Sequence, residues 1–139
     1  MTIVTAEDYT QCQMTLLKVA RGLDTHNPVL VAAQFSDQGT WNWKGQVLQG
    51  RDAIITALSS RDQQVVTRHI TSNLVCEKSG PNRIEATCTV LTYRNLASGN
   101  GKPSELTQPV SILDYSDTLV NKGGLWLISQ RCSQRIFSS

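Results

Sequence analysis

The sequence predicts a single α+β domain, with helices first and an antiparallel meander after them. Apolar residues in the N-terminal part recur at helical spacing, and from Val65 onward the chain changes to long runs rich in Val, Thr and Ile. Between those runs stand the turn-forming clusters Ser79-Gly80-Pro81-Asn82 and Asn121-Lys122-Gly123-Gly124. Strands gathered after the helices, rather than alternating with them, argue against a parallel α/β sheet. A length of 139 residues is enough for one domain with a real core, and no repeat or low-complexity tract divides it, so residues 1–139 are read as one domain.

The first helix begins at Thr5, a good N-cap, with Asp8 at the third helical position, where a carboxylate favours the free N–H groups. Tyr9, Cys12, Leu16, Val19, Ala20 and Leu23 form its apolar stripe, and Asp24-Thr25-His26-Asn27 ends it. Asn27-Pro28 starts a second, short helix over residues 28–35, the Asn as cap and the Pro in the first turn. Residues 36–39 read as a turn. Short strands follow at 40–43 and 46–48, joined through Lys44-Gly45, and a third helix opens at Gly50-Arg51-Asp52 with Ala53, Ile54, Ile55 and Leu58 as its stripe. Long strands are expected at 65–78, 83–93, 108–120 and 125–137, with a loop at 95–107 that carries Gly, Ser, Asn and Pro.

Composition excludes several classes. Apolar residues make up 40% and charged residues 17%, too apolar for a disordered chain. The net charge of +2 comes without a dense Lys/Arg stripe, which argues against nucleic acid as partner. The longest apolar run, residues 28–33, is too short to span a bilayer, and the first residues lack the basic and apolar segments of a signal peptide, so a soluble, cytoplasmic protein is expected. Cys12, Cys76, Cys88 and Cys132 lie far apart with no CxxC pair; they read as buried, reduced thiols, and no metal site is expected.

Several segments line up with one pattern. Asp24 follows the first helix, Phe35-Ser36-Asp37 precedes a strand bearing Trp41, and Gly50-Arg51-Asp52-Ala53-Ile54 enters helix three. Arg68-His69-Ile70-Thr71-Ser72-Asn73, Tyr115-Ser116-Asp117 and Gly124-Leu125-Trp126-Leu127-Ile128 with Arg131 complete it. In order and spacing, over nearly the whole chain, these resemble the SnoaL-like branch of the NTF2-like superfamily, which includes scytalone dehydratase, polyketide cyclases, ketosteroid-isomerase-like proteins and the small subunits of ring-hydroxylating dioxygenases. The resemblance implies a cone-shaped fold, a curved sheet wrapped round about three N-terminal helices. It also implies a pocket where the helices meet the concave side, and a homodimer through the sheet's outer face.

It further implies that Asp24 and His69 face each other across the pocket. A buried carboxylate orients an imidazole and fixes its tautomer, and the imidazole then moves a proton to or from a carbon beside a carbonyl. The scytalone dehydratase pattern is incomplete: Leu23 stands where that family has a Tyr before its Asp, Trp43 where it has a second Tyr, and residues 110–117 hold no His. Trp41 and Trp43 share one side of a strand and are candidates for pocket walls that stack on a flat ligand. Tyr93, Tyr115 and Asn73 are further candidates, Tyr115 as a donor to a developing oxyanion and Asn73, on the His69 face by period two, as a partner for a carbonyl. Asp117 and Arg131 read as a structural cross-strand ion pair. Arg68 alternates to the face opposite His69, toward the interface or a carboxylate such as Glu85 or Asp117, and His26 reads as a solvated loop residue.

Two functions follow. One is a cofactor-independent isomerase, cyclase or dehydratase for a small hydrophobic, aromatic or polyketide-like substrate, with His69 as base and Asp24 orienting it. The other is a non-catalytic ligand-binding or assembly module resembling a dioxygenase small subunit.

Overall fold

The computed structural model describes residues 3–139. Three helices, α1 (Ala6–Asp24), α2 (Pro28–Ala32) and α3 (Arg51–Ser59), pack on a six-stranded curved sheet in the order β2-β1-β6-β5-β4-β3. The strands are β1 (Phe35–Trp43), β2 (Gln46–Gln49), β3 (Val65–Gly80), β4 (Arg83–Leu96), β5 (Ser111–Lys122) and β6 (Leu125–Ser138). This is the α+β, NTF2-like arrangement the sequence predicts, with one difference: β1 pairs with β6 in parallel, and every other pairing is antiparallel.

Thr5 caps α1, its Oγ1 accepting from the Asp8 amide at 3.0 Å. Cys12, Thr15, Leu16, Val19 and Leu23 form the buried stripe of α1, and Asp8 accepts from the Trp126 indole at 3.1 Å, which fixes the helix against β6. The core lies between that stripe and the inward residues of the sheet: Ile84, Ala86, Cys88 and Val90 of β4, Leu119 of β5, and Trp126 and Ile128 of β6. Strict alternation along β4 and β5 places them there.

The long strands shift by up to three residues at their ends, and the larger changes lie between α2 and β1. Asn27 caps α2 as read, its Oδ1 accepting from the Leu30 amide at 3.1 Å, but the helix ends at Ala32 and Phe35 already pairs with Ile128. Residues 36–39, expected as a turn, belong to β1 as an irregularity where the register with β6 shifts between Phe35 and Thr40. Arg51 pins it, its Nε donating to the Phe35 carbonyl at 2.9 Å and its Nη1 meeting Asp37 at 3.0 Å. Gly39 is required here: a Cβ would stand 2.7 Å from the Ile128 carbonyl oxygen. All four cysteines are free; Cys12 and Cys88 are buried and Cys76 is half-buried, while Cys132 is exposed, because its register opposite Ser116 puts it on the outer face.

Candidate active site

The last residue of α1 and the first half of β3 build the site. Asp24 accepts three hydrogen bonds: from His69 Nδ1 at 2.6 Å, from the His69 backbone amide at 3.0 Å and from Thr67 Oγ1 at 2.9 Å. The Asp24 and His69 side chains keep only 8% and 13% of their exposure. Burial pushes the Asp24 carboxyl upward, but the bonds from His69 and Thr67 outweigh it and hold the carboxyl below the usual aspartate value. An ionised carboxylate only accepts, so His69 Nδ1 carries the hydrogen. Nε2 is then the lone-pair nitrogen of the neutral ring, and it has no protein hydrogen-bond partner among the described residues.

His69 lines a cavity closed by Leu16, Val19, Ala20 and Leu23 of α1 and by Thr71, Cys88, Val90, Tyr115 and Arg131 of the sheet. Its free space is about 10 Å³, room for one water. The far wall is cationic. Arg131 Nε and Nη2 donate to the two oxygens of Asp117 at 2.7 and 2.9 Å, with both side chains almost fully buried. Burial opposes the guanidinium charge, yet the Asp117 carboxylate more than offsets this, so Arg131 stays charged. The guanidinium carbon sits 4.4 Å from the centre of the Tyr115 ring. Burial pushes Tyr115 upward, so its phenol remains a neutral donor. Burial likewise pushes the Cys88 thiol up to about 11, which makes it an inert wall rather than a nucleophile.

His69 and Tyr115 thus line one space, with Asp24 bonded to His69, but the other sequence candidates do not come to it. Trp41 is fully buried in the core, stacked on Phe35 with centroids 5.7 Å apart, and Trp43 packs beside it; neither lines the cavity. Asn73 leaves the His69 face. The register with β4 shifts between Ser72 and Val75, Asn73 takes φ +55°, and its side chain is exposed. Tyr93 pairs with Arg68 on the outer face, and Arg68 donates to the carbonyl of Thr67 rather than to Glu85 or Asp117. His26 is not a solvated loop residue: its Nε2–H donates to the Val65 carbonyl at 2.8 Å and its Nδ1 is sealed from solvent.

Arg131, read only as a structural partner of Asp117, is also cavity wall; strict alternation from Ile128 could not reveal that, since a β6 irregularity intervenes. Arg61 was missed as well. Its Nη1 donates to the Leu23 carbonyl at 2.9 Å, closing the end of α1 beside Asp24, and no motif in its neighbourhood marks it.

An acid–imidazole pair at the end of a first helix, set against the concave face of a curved sheet, defines a class of small α+β proteins. This chain belongs to the SnoaL-like domain family, which matches residues 4–132, and so to the NTF2-like superfamily. A scytalone dehydratase candidate from Novosphingobium aromaticivorans is 19% identical, with a TM-score of 0.78, and the match covers 94% of this chain and 85% of that one. A protein from Catenulispora acidiphila in complex with S-DNPA is 20% identical with a TM-score of 0.79, over 94% and 95% of the two chains. A type 2 hexachlorocyclohexane dehydrochlorinase (LinA) is 17% identical with a TM-score of 0.75, over 97% and 92%. At these identities the likeness establishes the fold. No curated protein matches the chain by sequence. Among the described residues no helix is long and apolar enough to cross a membrane.

Proposed function

We propose that this protein moves a proton on a small hydrophobic or aromatic molecule, as an isomerase, cyclase or lyase whose chemistry needs no group beyond its own side chains. The observation that carries the reading is the 2.6 Å bond between Asp24 and His69, which leaves Nε2 unpaired by protein in the wall of a cavity whose other side is Arg131 and Tyr115. In this reading Nε2 removes a proton from carbon, Asp24 stabilises the imidazolium that forms, and Arg131 with the Tyr115 hydroxyl stabilises the negative charge left on the substrate. The dehydrochlorinase and the scytalone dehydratase candidate among its structural neighbours carry names of elimination reactions, which fit a base facing a cationic wall. Water held between tyrosines is not part of the proposal, because Leu23 and Trp43 stand at the two tyrosine positions of the dehydratase pattern. The present space takes only one water, so substrate enters as the α1 side of the cavity moves off the sheet.

Nitrogen-15 NMR of the imidazoles tests the pair. Wild type is expected to keep the hydrogen on His69 Nδ1, bonded to Asp24, and Asp24→Asn to lose that preference. Equal tautomer populations in the two proteins would end the dyad reading. Proton exchange into cyclic ketones in heavy water, present in wild type and absent in His69→Gln, is the expected activity.

A second reading, a non-catalytic assembly module, is favoured by one feature of the outer face. Ile70, Leu91, Ile112 and Phe137 are successive cross-strand partners from β3 to β6, and Ile70 and Phe137 are 50% and 64% exposed. In that reading the row is the seam of a homodimer, and sedimentation of wild type against Ile70→Lys reads it directly: dimer turning to monomer supports it, and monomer in both removes it.

A further inference from the structure

Beside the dyad, on the other side of the α1 terminus, lies a second and larger hollow of about 240 Å³. Gly22, His26, Asn27 and Pro28 line it from the α1–α2 junction, and Leu58, Ser59, Arg61 and Gln63 from the end of α3. Its lining includes a guanidinium and several neutral donors but no carboxylate. Arg61 spends Nη1 on the Leu23 carbonyl, and among the described residues no Asp or Glu oxygen lies within ion-pair distance of its fork. Four of the five guanidinium N–H groups therefore remain to be satisfied. Asn27 uses its Oδ1 on the Leu30 amide, which leaves its NH₂ group as a donor. A second guanidinium stands close by: Arg94 is the cross-strand partner of Thr67, the residue whose hydroxyl bonds Asp24. The nearest acid on the same loop, Asp62, is exposed and engaged by the Gln64 amide. The Asp24 carboxylate accepts three bonds from His69 and Thr67 and makes no ion pair with Arg61, although its charge is felt there.

We propose that this hollow binds a small oxyanion, a carboxylate or phosphate group, on the free edge of Arg61, with the Asn27 and Gln63 amides as further donors. A guanidinium fork matches both groups in geometry, and a hollow lined by no carboxylate leaves the fork without a direct ion-pair partner. The volume suits a single anionic group rather than a whole drug-sized ligand. The anion is either free or the charged tail of a substrate whose reacting carbon reaches His69 past Leu23. The proposal rests on the hollow itself and stands whether or not the dyad is catalytic.

The test follows the Arg61 Nε–H and the Asn27 and Gln63 side-chain amide signals by NMR while inorganic phosphate, and separately phenylpyruvate, is added at constant ionic strength. Saturable shifts at those signals are expected with both. Shifts from phosphate confined to the hollow identify a free-anion site; phenylpyruvate moving the Arg61 and His69 signals together identifies a substrate tail. Gln63→Glu, which keeps the Arg61 bond to the Leu23 carbonyl but adds a carboxylate partner, is expected to weaken phosphate binding by roughly ten-fold or more. Arg61→Gln is expected to abolish it if folded. Drift without saturation for both probes, or shifts unchanged in Gln63→Glu, overturns the proposal.

Discussion

Two carboxylates, each paired with a basic side chain in the wall of the same small cavity, behave differently. Asp117–Arg131 and Asp24–His69 have nearly the same short contact, 2.7 and 2.6 Å. The first joins adjacent strands in register, is bidentate, and uses a cation that never deprotonates at ordinary pH. The second joins a helix end to a strand, engages one ring nitrogen, and leaves the other for the cavity. A bidentate pair whose cation keeps its proton is a strut with a fixed charge. A pair with a titratable partner and one unpaired nitrogen is a device for moving a proton. The distance alone does not separate them; the titratable imidazole does.

The sharpest way to break the contrast is to remove one partner of the strut. Asp117→Asn is expected to cost about 3–5 kcal/mol in urea unfolding, because it leaves the Arg131 charge buried and uncompensated. The double change Asp117→Leu with Arg131→Met is expected to recover most of that loss. His69→Gln should do the reverse, lowering any proton-exchange rate by about 10²–10⁴-fold while changing stability far less than the strut variant does.

Gly22→Ala probes the seat of the dyad. A Cβ at Gly22 would stand 2.6 Å from Val31 Cγ2 and 3.1 Å from the Asn27 carbonyl oxygen, so the end of α1 must shift. The expected cost is about 1–3 kcal/mol. The His69 NMR signals should move while Arg131 side-chain signals stay in place.

Acid sensitivity separates the pairs further. The folded Asp24 carboxyl lies below its unfolded value of about 3.9. Its contribution to stability is therefore complete above that unfolded value and is lost as pH falls through the folded one. Acid unfolding followed by fluorescence below about pH 4 should be shallower for Asp24→Asn than for wild type. The smallest effect is expected at Asn73, exposed on the bulge: Asn73→Gly should change stability by less than about 1 kcal/mol and leave the His69 signals unmoved, since its side chain lies off the cavity.

The candidate site was partly legible. Asp24 and His69 could be named through the resemblance to the SnoaL-like pattern, which places an Asp after the first helix and a His on the first long strand. Tyr115 could be named for its residue type. Asn73, Trp41 and Trp43 were misplaced by the same simple rule, that residues two apart on a strand share a face and that aromatic rings on the inward face wall the pocket. The rule fails for Asn73 because the extra residues of the β3 bulge reset the alternation. For the tryptophans the inward face led into the packed core rather than the pocket: Trp41 stacks on Phe35 with the Arg131 guanidinium 6.0 Å from its ring.

Local spacing by itself determined the helices-then-strands order, the caps at Thr5 and Asn27, and the turns at residues 81–82 and 123–124. Those properties depend on neighbours a few residues away. Tertiary structure alone decided that β1 joins β6 in parallel, that Arg131 is cavity wall, that Arg61 closes α1 beside the dyad, and that the cavity is as small as one water. Each of those depends on how far apart two distant segments come to rest, and bulges and side-chain volumes set that distance without leaving a periodic mark in the chain.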